Sequence, residues 1–423
     1  MATPTPNTIT VPSRTRRVAG GRTLPAIGSA PYTLAPDGIW TWFTNPRAIC
    51  HRGSTYVGYM KANGVPGITK YNHDTGIAQH KALTTSAVEA DDHDNAAIHF
   101  LQDGRIASMW SKHNDPAGMS YSIAPRENPV ASGAVNFVNV GGMLAYCNPH
   151  WLSSTQRYYD HYRLDQGARY IMSSADFASW SAPRGFVREP TGRRPYLQAC
   201  DNGVDRIDIL FTTGHPNEGG SNNSLYHCYL QPSGPSAENF FKSDGTLIGT
   251  NGTAMPSTAS LIFDGGTAAG QAWCWDITYG PDGKPWVLFA RFPTPASDHR
   301  YMFARWTGSA WVVSEITQAG PPLYSVETYY TAGIGFDAHD PRKVFLSRWE
   351  GSNWEIQEWR TSDNGATWAK HRDITTSTPV GTVNGRPYSP RGHDGRAACI
   401  YWRGTYTTFN AYNTSIMAVS EAA

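Results

Sequence analysis

Two histidines stand in the most polar stretch of the chain. Asp91-Asp92-His93-Asp94-Asn95 opens it, and Ser111-Lys112-His113-Asn114-Asp115 follows about one hairpin later. An imidazole changes charge near neutral pH, so two of them side by side can pass a proton or hold a metal. Between them lies a strand, a turn at Asp103-Gly104 and the alternating run Arg105-Ile-Ala-Ser-Met-Trp110. A tight turn brings the open ends of two antiparallel strands together, so His93 and His113 are expected at one edge of one sheet. The bland alternative is a pair of loop histidines satisfied by local hydrogen bonds. Tyr146 and Arg163 bracket the next hairpin in the same way. Alone, Tyr146 reads as packing and Arg163 as a surface ion-pair partner. Beside two imidazoles, a phenol and a guanidinium make a set of more interest than any of them alone.

Weaker candidates surround this set. Arg194, Tyr196 and His215 fall in the following repeat and could line the same cleft, although structural roles fit them equally well. Arg47 is a further candidate for holding substrate. Trp40 and Trp42 could stack on a sugar, but core packing is the default for tryptophan. Six cysteines, Cys50, Cys147, Cys200, Cys228, Cys274 and Cys399, are scattered with no CxxC pair, as buried single thiols would be.

These residues need a scaffold, and a repeat supplies it. A strand, a turn often built on a polar-Gly pair, a second strand ending in an aromatic residue or Arg, and one or two more strands recur about every 50 residues. The copies begin near Trp42, Asp94, Tyr146, Arg194, Cys274, Tyr329 and Arg386. Such sheets cannot bury both faces alone, so they pack radially. The expectation is an all-β fold, a β-propeller of about seven blades over residues 37–423. Residues 1–36, rich in Pro, Thr and Arg, form an N-terminal arm that could donate a strand to close the ring. Thr361-Ser-Asp-Asn-Gly-Ala-Thr-Trp368 and Ser174-Ala-Asp-Phe-Ala-Ser-Trp180 fit the Asp-box pattern of propeller hairpins. No amphipathic helix longer than two turns is evident.

Composition agrees. Charged residues are only 16%, with 41 Gly and 29 Pro, which suits short strands and many turns. A net charge of +1 leaves no basic field to collect nucleic acid. No apolar run is long enough to span a membrane. The opening MATPTPNTITVPSRTRRVAGGRTLP lacks the apolar stretch of a secretory leader. The expected setting is extracellular or virion-associated.

DDHDN…DGRI…SKHND, then YCNP…HYR and RRPY…DRIDILFTTGHPNEGGSNNSLYHCYL, resemble the BNR-type propellers that include ulvan-lyase-like polysaccharide lyases. WTWFTNPRAICHRGSTYVGY and RGTYTTFNAYNTSI extend the resemblance from about Trp40 to Ile416. It implies β-elimination at a uronic acid in an acidic polysaccharide. Matched by motif, His93 or His113 would be the base, Tyr146 the acid, and Arg163 with the second histidine would neutralise the carboxylate. No cofactor is required, and a structural zinc or calcium is compatible with the family. Cys200, Cys228, His215 and His227 would be the zinc ligands, though their spacing matches no standard signature. The alternative is a propeller that grips a glycan without cutting it, as in a phage tail. A sialic-acid hydrolase would need three arginines, for which Arg47, Arg163 and Arg194 are available, but the required Tyr–Glu pair is missing.

Overall fold

The computed structural model describes residues 30–421, apart from 115–117, 127, 129–132, 143, 165–166, 219–221, 235–236, 251–253 and 268. Most of the N-terminal arm, residues 1–29, therefore lies outside the described residues. The described chain is strand, turn and loop, with one three-residue 3-10 turn at Asp92–Asp94 and no α-helix.

The strands form six hydrogen-bonded sheets in chain order, of four, four, five, six, four and eight strands. The first spans Ala48–His51 to Ile77–Ala82, the second Ala97–Phe100 to Val135–Val138, and the third Leu144–Ala145 to Arg184–Arg188. The fourth runs from Leu197–Asp201 to Ser260–Phe263 and the fifth from Gln271–Tyr279 to Trp311–Gly320. The expectation of seven separate blades is corrected here. The sixth and seventh repeats share one eight-stranded sheet, because Trp354 and Val383 make a parallel bridge between their strands.

That sheet also takes in the start of the chain. Tyr32–Ala35 pairs antiparallel with Ala411–Val419, Tyr32 opposite Ala418 and Ala35 opposite Ile416. Within each sheet burial follows position. Ser54–Met60, Ile106–Trp110 and Ile207–Thr212 are buried along their whole length, while the outer strand Ile77–Ala82 is largely exposed. A central strand covered on both faces need not alternate apolar and polar residues. Neighbouring sheets come close enough that a Cβ on Gly58 would lie 2.3 Å from the Ala96 carbonyl oxygen.

Residues 38–47 tie the ring together. Ile39 exchanges backbone bonds with Met60, and the Thr41 N–H donates to Asp92 O at 2.8 Å. Trp40 and Trp42 donate their indole N–H groups to Arg386 O and Cys274 O, each at 3.0 Å. Asn45 receives the next two sheets: its N–H donates to Asn148 Oδ1 and its Nδ2 to Gln198 Oε1, both at 2.9 Å. Trp42 stacks on Trp275 with centroids 4.2 Å apart and meets Trp273 and Tyr330 edge-on. Both tryptophans are fully buried, so core packing, not sugar stacking, is their role.

Two aspartate-anchored turns clamp outer hairpins. The Asp363 carboxylate accepts from the Thr361 hydroxyl and the Thr367 N–H and hydroxyl, which pulls its pKa down to about 2. Gly365 sits there at φ +83°, and Trp368 packs edge-on to Phe303. Asp176 accepts from the Ser174 hydroxyl and the Ala178 and Ser179 N–H groups.

Trp42→Ala removes the indole that packs between Trp273 and Trp275 of the fifth sheet, Tyr330, and Arg386 of the last sheet. Urea unfolding should show a loss of about 3–5 kcal/mol. A loss below about 1 kcal/mol would mean that this segment only lies in the ring and does not hold it.

Candidate functional site

The two histidines meet where the hairpin argument puts them. Ala97 pairs with Met109, so the chain before one strand and after the other emerges at the same edge. His93 and His113 stack with centroids 4.2 Å apart and planes 12° from parallel. Asp91 holds both: its Oδ1 is 2.5 Å from His93 Nδ1 and its Oδ2 is 3.1 Å from His113 Nδ1. The same carboxylate caps the 3-10 turn by accepting the His93 N–H at 2.9 Å. Burial pushes Asp91 up, but the two imidazoles outweigh it and hold the carboxylate well below its ordinary range.

The histidines differ in what remains free. His93 Nε2 lies 3.2 Å from the Tyr330 hydroxyl, so both of its ring nitrogens are engaged. His113 is 19% exposed against 4% for His93. Burial, together with His93 and Arg163, lowers its pKa to about 4 in spite of Asp91. His113 is therefore a neutral imidazole at pH 7. With Nδ1–H directed at Asp91, its Nε2 carries a lone pair. Phe409 closes the other side, its ring edge-on to both imidazoles.

Tyr146 and Arg163 join them. Ala145 pairs with Arg163 across the third sheet, which brings the following Tyr146 beside the guanidinium at 5.3 Å. The Tyr146 ring is 5.8 Å from His93 and 6.5 Å from His113. Its backbone is left-handed, φ +67°, a conformation a bulky aromatic residue rarely adopts. Burial and the adjoining Tyr196 phenol push Tyr146 well above the ordinary tyrosine range, despite Arg163 and Arg169. Arg163 is 2% exposed and donates Nη2 to Asn114 Oδ1.

Tyr196 and His215 extend the cluster. Tyr196 lies 6.2 Å from Tyr146 and 5.3 Å from His215, which packs on Trp273 at 4.5 Å. Burial and the Arg194 charge lower His215 to about 3. Arg194 is 31% exposed and paired with Glu218, which also accepts the Arg194 and His215 N–H groups.

Arg47 does not reach this cluster. It is buried with its guanidinium 4.2 Å from the Tyr388 ring centroid, donating Nε to Asn45 Oδ1. The central segment draws it inward, which also leaves Arg47, Arg163 and Arg194 without a common centre. The expected zinc set fails too. His227 spends both ring nitrogens on Ser243 and Asp208, while His215 faces Trp273. Cys200 and Cys228 are buried free thiols. Among the described residues, the group of His, Cys, Asp or Glu within metal-ligating reach is Asp91, His93 and His113, with ligand atoms inside 4.8 Å.

Sequence reasoning did not single out Asp91, Tyr330 or Arg169. Asp91 stood in the quoted motif, two residues from His93. Arg169 was within reach of register counting, since it pairs directly with Arg163. Tyr330 comes from a distant repeat and had no local signal. A second layer anchors the turn that carries His93. Arg386, fully buried, donates Nη1 to Asp92 Oδ2 at 2.6 Å and to Trp40 O at 2.7 Å. Its Nη2 donates to the Tyr406 hydroxyl, which donates to the same Asp92 oxygen at 2.7 Å.

Radial sheets around a filled axis, with a polar cluster at one edge, define a β-propeller. The chain belongs to the BNR repeat-containing family, whose model matches residues 54–319. An ulvan lyase described as a new polysaccharide lyase family, solved bound to -[GlcA(1-4)Rha3S]-, superposes with a TM-score of 0.73 at 14% identity, over 92% of this chain and 95% of that one. A second structure of such an ulvan lyase gives 0.73 at 15% identity, over the same shares. Polysaccharide lyase Uly1 gives 0.54 at 13% identity, over 92% of this chain and 97% of that one. At these identities the likeness is one of fold. No curated protein matches the chain.

Removing one partner of the Asp92–Arg386 pair strands a buried charge. Arg386→Met should cost about 3–5 kcal/mol in chemical denaturation. The double variant Asp92→Leu/Arg386→Met should cost less than the two single changes added together. Strict additivity would show that the two groups act independently.

Proposed function

We propose that this protein is a polysaccharide lyase that cleaves an acidic, uronate-bearing glycan by β-elimination. The observation that carries this reading is His113: a neutral imidazole, oriented by Asp91 through Nδ1, with Nε2 meeting no hydrogen-bond partner among the described residues and a protonated Tyr146 beside it. In the proposed reaction His113 Nε2 takes the C5 proton of the uronate. The electron pair forms the C4–C5 double bond, the C4–O4 bond breaks, and Tyr146 gives its proton to O4. The Arg163 charge, behind Asn114, opposes the negative charge that builds on the carboxylate. His93 is a positioning residue, stacked under the base and held by Asp91 and Tyr330. Arg194, Tyr196 and His215 extend the binding surface. The fold shared with ulvan lyases supports the substrate class, and on this reading the turns at Asp176 and Asp363 are the Asp boxes of such propellers.

A second reading is favoured by one observation. Of the four proposed catalytic groups, His93, Tyr146 and Arg163 are nearly closed to solvent while Arg194 beside them is open, which suits a propeller that holds a glycan at its rim without cutting it. An extracellular or virion-borne glycan binder is the setting proposed for it.

Incubation with ulvan and a panel of other uronic-acid polymers decides between the two. The lyase reading expects rising ultraviolet absorbance from unsaturated ends with at least one polymer. Tight binding to a polymer with no such absorbance across the panel would establish the gripping propeller instead. For the active polymer, His113→Ala and Tyr146→Phe should each lower kcat by about 10²–10⁴-fold.

The pH profile follows from the same groups. The base works only when neutral, so kcat/KM should fall as pH drops through about 4, where His113 gains its proton. Tyr146 is held protonated above the ordinary value of 10.0, so no alkaline limb should set in below it. An acid limb centred near pH 6.5 that survives in His113→Ala would assign the base elsewhere.

A further inference from the structure

Behind the candidate site, two arginines face each other, and neither has an acidic ion-pair partner among the described residues. Arg163 and Arg169 are directly paired across adjacent strands of the third sheet, and each is 2% exposed. All three guanidinium nitrogens of Arg169, and Nε and Nη1 of Arg163, lack a hydrogen-bond partner among the described residues. Arg169 lies over the rings of Tyr146 and Tyr196, at 5.7 and 5.0 Å from their centroids. Those ring faces meet its charge from the side and leave the in-plane N–H groups bare. Two like charges buried together with open donors are a costly arrangement unless something negative sits between them.

The arginines wall a cavity that has room for one such object. It measures about 10 Å³ and is lined also by Tyr146, Asn148, His161 and Leu197. That is close to the volume of one water-sized sphere. A sulfate, a phosphate or a sugar carboxylate needs several times that space, whereas a chloride ion, only somewhat larger than water, needs a small outward shift of the two guanidinium groups. A water molecule would satisfy N–H groups but leave the repulsion between the guanidiniums in place. His161 also faces the cavity: its Nε2 has no partner among the described residues, and burial keeps the ring neutral, so the Nε2–H tautomer can donate there.

We propose that this cavity is a binding site for a single monatomic anion, chloride under ordinary salt, bridging Arg163 and Arg169. The ion supplies the missing negative charge, fixes the two guanidiniums, and through them sets the field at the Tyr146 phenol. The proposal does not rest on the lyase reading. A gripping propeller would need the same ion to hold its third sheet.

Crystals grown in bromide test it directly. An anomalous peak is expected between Arg163 and Arg169, within hydrogen-bonding reach of both. Thermal melting at matched ionic strength gives a second readout, with chloride compared against gluconate, which cannot enter. Chloride should raise Tm by at least about 2 °C. In Arg169→Met, which keeps the bulk and removes the charge, that difference should vanish. Should Arg169→Met fail to fold, the bromide map of the unaltered protein still decides. A featureless anomalous map, a water alone in the cavity, or a chloride effect that persists in Arg169→Met overturns the proposal. None of these outcomes touches the polymer-cleavage assay, so the two ideas fail separately.

Discussion

The buried pair of Asp92 and Arg386 is the constraint on which the site rests. Asp92 lies in the turn just before the second sheet, and Arg386 lies within the strand Val383–Tyr388 near the end of the chain. Their contact fixes the short turn that carries His93, and the same guanidinium grips the backbone of Trp40. A buried ion pair contributes little net stability compared with a well-packed apolar substitute, but its geometry is demanding. Here that geometry serves position. The turn, the central segment and the last repeat must all be in place before the charges meet.

One carboxylate holds two histidines, and a distant tyrosine makes them unequal. Asp91 touches both rings through Nδ1, yet Tyr330 engages the far nitrogen of His93 only. The chemical difference lies in what the sixth repeat contributes, not in the motif around either histidine. Stacking brings the rings close enough that a charge on one disfavours a charge on the other, which helps keep His113 neutral.

Much of this was legible because hairpins translate sequence distance into spatial edge. The turn at Asp103-Gly104 was enough to join His93 and His113, and the third repeat placed Tyr146 beside Arg163. The same logic stops at the sheet boundary. It could not show that Trp354 and Val383 bridge two repeats into one sheet, because a lone parallel bridge leaves no pattern. It could not foresee that the segment from Trp40 to Arg47 turns into the axis and takes Arg47 with it. The cysteine–histidine set failed for a related reason: His215 follows its strand onto the site edge, while His227 lies within a strand and is spent on Asp208. Arg169 belongs to no chemical motif, and only its register opposite Arg163 across the turn marks it.

The pairing of Tyr32–Ala35 with Ala411–Val419 has a consequence for how the molecule comes into being. A chain leaving the ribosome makes its histidine-bearing hairpin early, yet Tyr330, Arg386 and Phe409, which hold or shield it, arrive last. The nascent protein must keep its first strand unpaired until the final one is synthesised. Contacts of such sequence span slow folding and leave an open edge exposed in the meantime. A product cut short before the last hairpin would hold every proposed catalytic group yet lack Phe409 over the imidazoles and the strand that pairs with Tyr32–Ala35.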